Sequence, residues 1–204
     1  AQGVLLDADA GFHPYTTWSR CTTRNALNLI SELNPQAQIY QIGVLRAYAM
    51  RHGPGPLPTE TGLLAGIISE HNQHNEWQGG VRYGWFDAIL AQYALNVIGK
   101  VDTLLVTHMD VLPRLDIWKY CTGYKQTTRQ TETLTSLDPH PAFPLNFREQ
   151  ITRELLEVEP ILEGCTPEAE TVINKIEALT GQSVGLISTG PTMGDVKTLK
   201  QIPS

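Results

Sequence analysis

Residues 85–107 read WFDAILAQYALNVIGKVDTLLVT, and this two-part pattern decides the fold. From Trp85 to Ile98, the residues Phe86, Ile89, Leu90, Tyr93, Ala94 and Val97 recur at spacings of three and four. That is the stripe of a helix packed on a core. Gly99 follows as a C-cap. Val101 to Thr107 is then an apolar run of the kind that forms a strand buried on both faces. The same order recurs from Thr166 to Ser188. Thr166 stands as N-cap, Pro167 as first helical residue, and Glu168 and Glu170 at the positive end of the dipole. Val172, Ile173, Ile176 and Leu179 form the stripe, Gly181 ends it, and Val184 to Ser188 is the strand. Helix followed by buried strand, twice, predicts an α/β fold: a mostly parallel central sheet with flanking helices.

The remaining segments fit around that frame. Val4 to Asp7 reads as a short buried strand, Gly11 to Cys21 as a loop, and Asn25 to Leu33 as a helix. Gln38 to Met50 is rich in β-formers, Thr61 to Glu70 suits a short helix, and Ile117 to Tyr124 a strand. Lys125 to Phe147 is polar and proline-rich, so 125–165 is expected to be a divergent insertion or long loop within a single domain spanning 1–204. The chain opens inside what reads as a strand, so a preceding piece is expected. Of its 204 residues, 41% are hydrophobic and 18% charged, an ordinary globular balance. A net charge of -6 without a Lys/Arg run argues against nucleic-acid binding. No apolar window approaches the roughly 18 residues of a membrane span. Three widely spaced cysteines, Cys21, Cys121 and Cys165, point to a reducing cytoplasm rather than a disulfide framework.

Three places could carry chemistry. Both strands of the repeated unit end in polar residues, Thr107-His108-Met109-Asp110 and Ser188-Thr189-Gly190-Pro191. Ligands of open α/β sheets bind outside the carboxyl ends of strands. A carboxylate at Asp110 can accept two hydrogen bonds from the ring N–H and amine of guanine, or simply cap the next turn. The second cluster can line a base or phosphate pocket, or be a plain strand-to-loop transition. The third place is Arg51 to Glu60, RHGPGPLPTE, whose prolines and glycines exclude helix interior and central strand. It is read as an ordered loop, either functional or a surface turn. His71 and His74, with Glu70 and Glu76, have the spacing of metal ligands but no third ligand cluster, so no metal site is expected. Trp85, Phe86 and Tyr93 are assigned to the core.

Six segments, in order, resemble the adenylosuccinate synthetase family. Residues 1–7 are similar to its Gln-Gly-x-x-Leu-Asp strand, and Gly11 to Thr17 to its Gly-Thr-Tyr-Pro-x-Val-Thr loop. Arg51 to Glu60 resembles Arg-Val-Gly-x-Gly-Pro-Phe-Pro-Thr-Glu, and residues 84–87 resemble Gly-Trp-Leu-Asp. Thr107 to Asp110 resembles the guanine-reading Thr-Lys-Leu-Asp, and Ile187 to Pro191 resembles Ile-Ser-Thr-Gly-Pro. The resemblance implies a P-loop-NTPase-like fold here lacking its N-terminal strands and phosphate loop. It implies condensation of IMP with L-aspartate at the expense of GTP, with Mg2+, through a 6-phosphoryl intermediate, in a homodimer. Gln2, Thr17, His52 and Gly53 would then face the substrate nucleotide, Thr17 through hydroxyl and amide. Arg82 would take aspartate or phosphate, and His108, Asp110, Ser188, Thr189 and Gly190 the donor base.

The departures have consequences. His108 replaces the family's lysine, which relaxes the donor preference toward ATP. Residues 78–83 form a shortened aspartate loop with one arginine. The family's Gly-Asp-Glu-Gly-Lys-Gly loop is absent, so the catalytic groups are expected upstream of Ala1 and the chain is expected to be inactive alone. Two alternatives stand beside this reading: a relative joining aspartate to dGMP with ATP or GTP, and a non-catalytic nucleotide-binding relative.

Overall fold

The computed structural model describes residues 2–68, 74–76, 79–126, 133–138 and 145–200. Its elements run α1 (Gln2–Leu5), α2 (Arg24–Leu33), β1 (Ile42–Arg46), β2 (Ala49–His52), α3 (Gly62–Ala65), β3 (His74–Asn75), β4 (Gly79–Gly84) and β5 (Phe86–Asp87). They continue with α4 (Ala88–Ile98), β6 (Thr103–Thr107), a 3-10 segment (Met109–Arg114), β7 (Trp118–Gln126) and β8 (Thr133–Leu134). The last are α5 (Leu145–Leu156), β9 (Val158–Cys165), α6 (Ala169–Thr180), β10 (Val184–Ser188) and β11 (Val196–Thr198).

The central sheet has the order β1-β6-β10-β11, with β1, β6 and β10 parallel and β11 antiparallel to β10. This is the mostly parallel α/β sheet that the helix–strand repeat predicts. Arg46 pairs with Thr107, and Ile187 with Val106, so three strands end level on one edge. The central strands are apolar because α4 and α6 pack over them; Leu104, Val106 and Val184 are fully buried. Asp87 starts α4 as N-cap, its side chain accepting from Leu90 N, and Gly99 at φ 82 ends it. Trp118 is 1% exposed, and its indole N–H donates to Ala47 O at 2.7 Å, which ties β7 to the turn after β1. Trp85, Phe86 and Tyr93 are buried, as expected of core residues.

Several expectations are corrected. Val4 to Asp7 is not a strand: helix α1 covers Gln2–Leu5, and Asp7 N donates to Val4 O in the turn that follows. A four-residue apolar run lacks the length to separate strand from helix. Phe86 and Asp87 pair with Tyr120 and Cys121 before the helix begins. The N-cap of α6 is Glu168, not Thr166, and it makes no side-chain capping bond. Helix α2 forms where expected but buries none of its residues. The largest correction concerns 125–165. Lys125 and Gln126 belong to β7, α5 buries Thr152 and Leu155, and β9 pairs with β7 from Trp118↔Cys165 to Gln126↔Val158. Part of the expected long loop is therefore regular structure. Glu70, His71 and the His74 side chain lie outside the described residues.

Candidate functional site

Two cavities open at the level carboxyl edge of the sheet and share one wall, Tyr48, Thr107 and His108. His108 is the only non-glycine residue with positive φ among the described residues, at φ 60 and ψ 35. A left-handed histidine directly after a strand is a costly conformation of the type found at functional sites. Thr107 Oγ1 donates to Leu45 O at 3.2 Å, so His108 Nδ1, 3.0 Å from that hydroxyl, carries the proton. The His108 ring meets Tyr48 edge-on, with centroids 5.4 Å apart. Tyr48 in turn lies under the Arg46 guanidinium and against Tyr83.

The second cavity, about 470 Å3, gathers His108, Asp110, Ser188 and Gly190. Two sequence-distant strand ends thus converge, because β6 and β10 are parallel neighbours. Asp110 is exposed and its carboxylate has no protein partner among the described residues. Ser188 Oγ donates to Gly190 O at 2.8 Å. Thr189 does not line the cavity; it donates through N and Oγ1 to Asp195 O and so belongs to the turn behind it. That turn closes when the Asp195 carboxylate accepts from Thr192 N and Oγ1. A Cβ on Gly190 would stand 2.6 Å from Asp195 Cγ. Gly190→Ala is therefore expected to displace Asp195, lower stability by about 1–3 kcal/mol and reshape the cavity wall. Thermal melting checks this; an unshifted midpoint would show that the turn yields freely.

The first cavity, about 380 Å3, is lined by Arg46, Arg51, Asp87, and Gly3 and Leu5 of α1. Gln2 lies in the same helix, but its side chain is outside the described set. The 51–60 loop contributes Arg51, Pro56 and Leu57 rather than His52 and Gly53, which line neither cavity. His52 Nδ1 is buried without a hydrogen-bond partner among the described residues. Thr17 also lines neither cavity, and its amide donates to Leu6 O at 2.8 Å, so that amide is not free for a phosphate.

Arg82 is turned to a different task from the one expected. Its Nε donates to Gly53 O (3.2 Å), Nη2 to Gly55 O (2.6 Å) and Nη1 to Glu60 (2.8 Å). The fork braces the loop instead of projecting into either cavity. From below, buried Arg51 donates to Pro54 O and Tyr15 O, each at 2.9 Å. Two arginines therefore make the loop rigid.

Asp87 escaped sequence reasoning. Its carboxylate is buried and accepts from Leu90 N and, at 2.8 Å on each oxygen, from Tyr124 OH. Burial pushes it up from 3.8 to about 6, against the lowering effect of those bonds. Burial also pushes the nearby Cys121 thiol up to about 12, with the Asp87 charge adding to it. The available signal was a lone acid inside the apolar run 85–91. Among the described residues, no three His, Cys, Asp or Glu side chains converge.

The adenylosuccinate synthetase family matches residues 1–196. The adenylosuccinate synthetase of Nitrosomonas eutropha is 34% identical over 204 residues, which cover 94% of this chain and 45% of the relative. That of Pseudomonas fluorescens is 31% identical over 210 residues, with 98% and 47% covered. The chain thus spans about half the length of these curated relatives. In fold, fully ligated adenylosuccinate synthetase from Plasmodium falciparum superposes with a TM-score of 0.76 at 24% identity, covering 97% of this chain and 48% of that one. Cyanophage S-2L succinoaminodeoxyadenylate synthetase, bound to dGMP and dATP as an energy donor, gives 0.54 at 16% identity, with 98% and 44% covered.

Proposed function

The chain belongs to the adenylosuccinate synthetase family, and from that premise we propose that it carries the nucleotide-positioning half of a purine-nucleotide ligase joining aspartate to IMP with GTP as donor. The observation that carries this reading is the convergence of His108, Asp110, Ser188 and Gly190 on one cavity at the sheet's carboxyl edge. Asp110 would accept the ring N–H and amine of the donor guanine. Gln2, beside the first cavity, would meet the acceptor purine. Only the shared wall separates the two cavities, as a transfer between two nucleotides requires.

The groups that activate the reaction are proposed to lie in the half of the family's length that this chain does not span, so the 204 residues alone are expected to bind without catalysing. Magnesium would enter with the donor phosphates. For the assembled protein, a cytoplasmic homodimer acting on small molecules is proposed; among the described residues no helix is long and apolar enough to cross a membrane.

A second reading, a dGMP–aspartate ligase using ATP or GTP, is favoured by one feature, His108 in place of the family's lysine. A nucleotide-binding relative without catalysis is the third. Isothermal titration separates binding from its absence: Asp110→Asn is expected to weaken GTP binding about tenfold to a hundredfold, the worth of one charge-assisted hydrogen bond. Equal GTP affinity in both proteins would remove Asp110 from the donor site. Aspartate-dependent GDP or ADP release, assayed with IMP or dGMP on the full-length protein, decides among the three readings.

A further inference from the structure

Arg114 and Asp110 line the same cavity, four residues apart on one 3-10 segment. On an α-helix, opposite charges at that spacing are neighbours and pair. A 3-10 segment has three residues per turn and rises about 2 Å per residue, so position 114 stands about a third of a turn round and roughly 8 Å beyond position 110. Arg114 Nη1 donates instead to Ile67 O at 3.1 Å. Among the described residues that is its sole hydrogen bond, and the Asp110 carboxylate has none. The cavity therefore holds a strong donor and a strong acceptor that do not pair, with Ile67, Ile68 and Val111 in its apolar lining.

Resting on the donor-site reading above, we propose that Arg114 is a second base-reading residue, which selects guanine by donating to its O6 and N7 while Asp110 accepts from N1–H and the 2-amino group. Guanine carries acceptors at O6 and N7, the pattern a guanidinium fork matches. Adenine puts an amine at C6, so the arginine meets a donor and the carboxylate meets a bare ring nitrogen. Both groups are exposed; a bound base would cover them, and the wrong base would leave them covered and unpaired, which gives such a site its discrimination. The donor preference that His108 loosens is then restored by a second residue lining the same cavity. Arg114 directly follows Pro113 and is the last residue of the 3-10 segment, with Leu115 as its C-cap.

Equilibrium binding of GTP, ITP, ATP and 2,6-diaminopurine riboside triphosphate to the full-length protein tests this, with Arg114→Met, Arg114→Lys and Asp110→Asn alongside. GTP and ITP keep O6; the other two lack it. Arg114→Met is expected to cost GTP and ITP about tenfold and to leave ATP and the diaminopurine nucleotide unchanged, with partial recovery in Arg114→Lys. An equal loss for all four nucleotides would mean that Arg114 only holds Ile67, and would overturn the proposal, as would no loss at all. If Asp110→Asn weakens GTP while Arg114→Met leaves the GTP-to-ATP ratio intact, the donor site stands and the role of Arg114 falls. If the unsubstituted protein binds none of the four, both readings fall together.

Discussion

Replacing Arg51 with methionine is expected to destabilise the protein by about 3 kcal/mol and to loosen the loop over the first cavity. Arg51 is 2% exposed, yet no carboxylate partners it. Its charge is spread over the carbonyls of Pro54 and Tyr15, which join the 51–60 loop to the loop of residues 11–21. Burial, with the Arg82 charge adding to it, lowers the guanidinium to about 10, still cationic at neutral pH. Hydrogen bonds to charged groups contribute roughly 1.5–3 kcal/mol each, and losing two strands both carbonyls. Relief from burying a cation returns part of that, hence the intermediate figure. Gly55 belongs to the same device. Its φ is +116, and a Cβ there would overlap the Arg51 guanidinium. Urea denaturation of Arg51→Met measures the change; a loss below about 1 kcal/mol would mean the loop holds itself through Arg82 alone.

The second large effect is on pH dependence. Asp87 has its folded-state value raised from 3.8 to about 6, with burial as the largest cause. Between those values the native state holds a proton that the unfolded chain releases. Its contribution is therefore fully present below about pH 4 and is lost as pH rises through 6, by roughly 3 kcal/mol in total. Asp87→Asn keeps an N-cap for α4 and an oxygen for Tyr124 OH but cannot ionise. The stability difference between parent and variant is expected to shift by about 3 kcal/mol in the variant's favour from about pH 3 to about pH 7. Chemical denaturation at four or five pH values gives the curve. A flat difference would mean that Asp87 titrates where an ordinary carboxylate does.

The parts of this structure that were legible in the sequence are those whose pattern is local and strong. Helices α4 and α6 and strands β6 and β10 carry unbroken stripes and runs, and parallel pairing places their ends on one edge. Strand β9 was illegible because it is an outer strand: none of its residues is buried, Pro160 lies within it, and its partner lies over thirty residues upstream. At the site, the rule that ligands sit at strand ends identified His108, Asp110, Ser188 and Gly190. It could not reveal what Arg82 does, because its three partners sit 22 to 29 residues away and only the folded loop brings their oxygens into reach. Asp87 was hidden for a similar reason: its importance depends on Tyr124, which β5–β7 pairing brings alongside.

A wall shared by two cavities also gives their occupants a route to influence each other. Tyr48 and His108 have a face in each cavity, and the His108 backbone is already held in a costly conformation. An occupant that shifts either ring on one side changes the shape offered on the other. Linkage would make that influence equal in both directions, so the affinities of two occupants of these cavities are to be measured together.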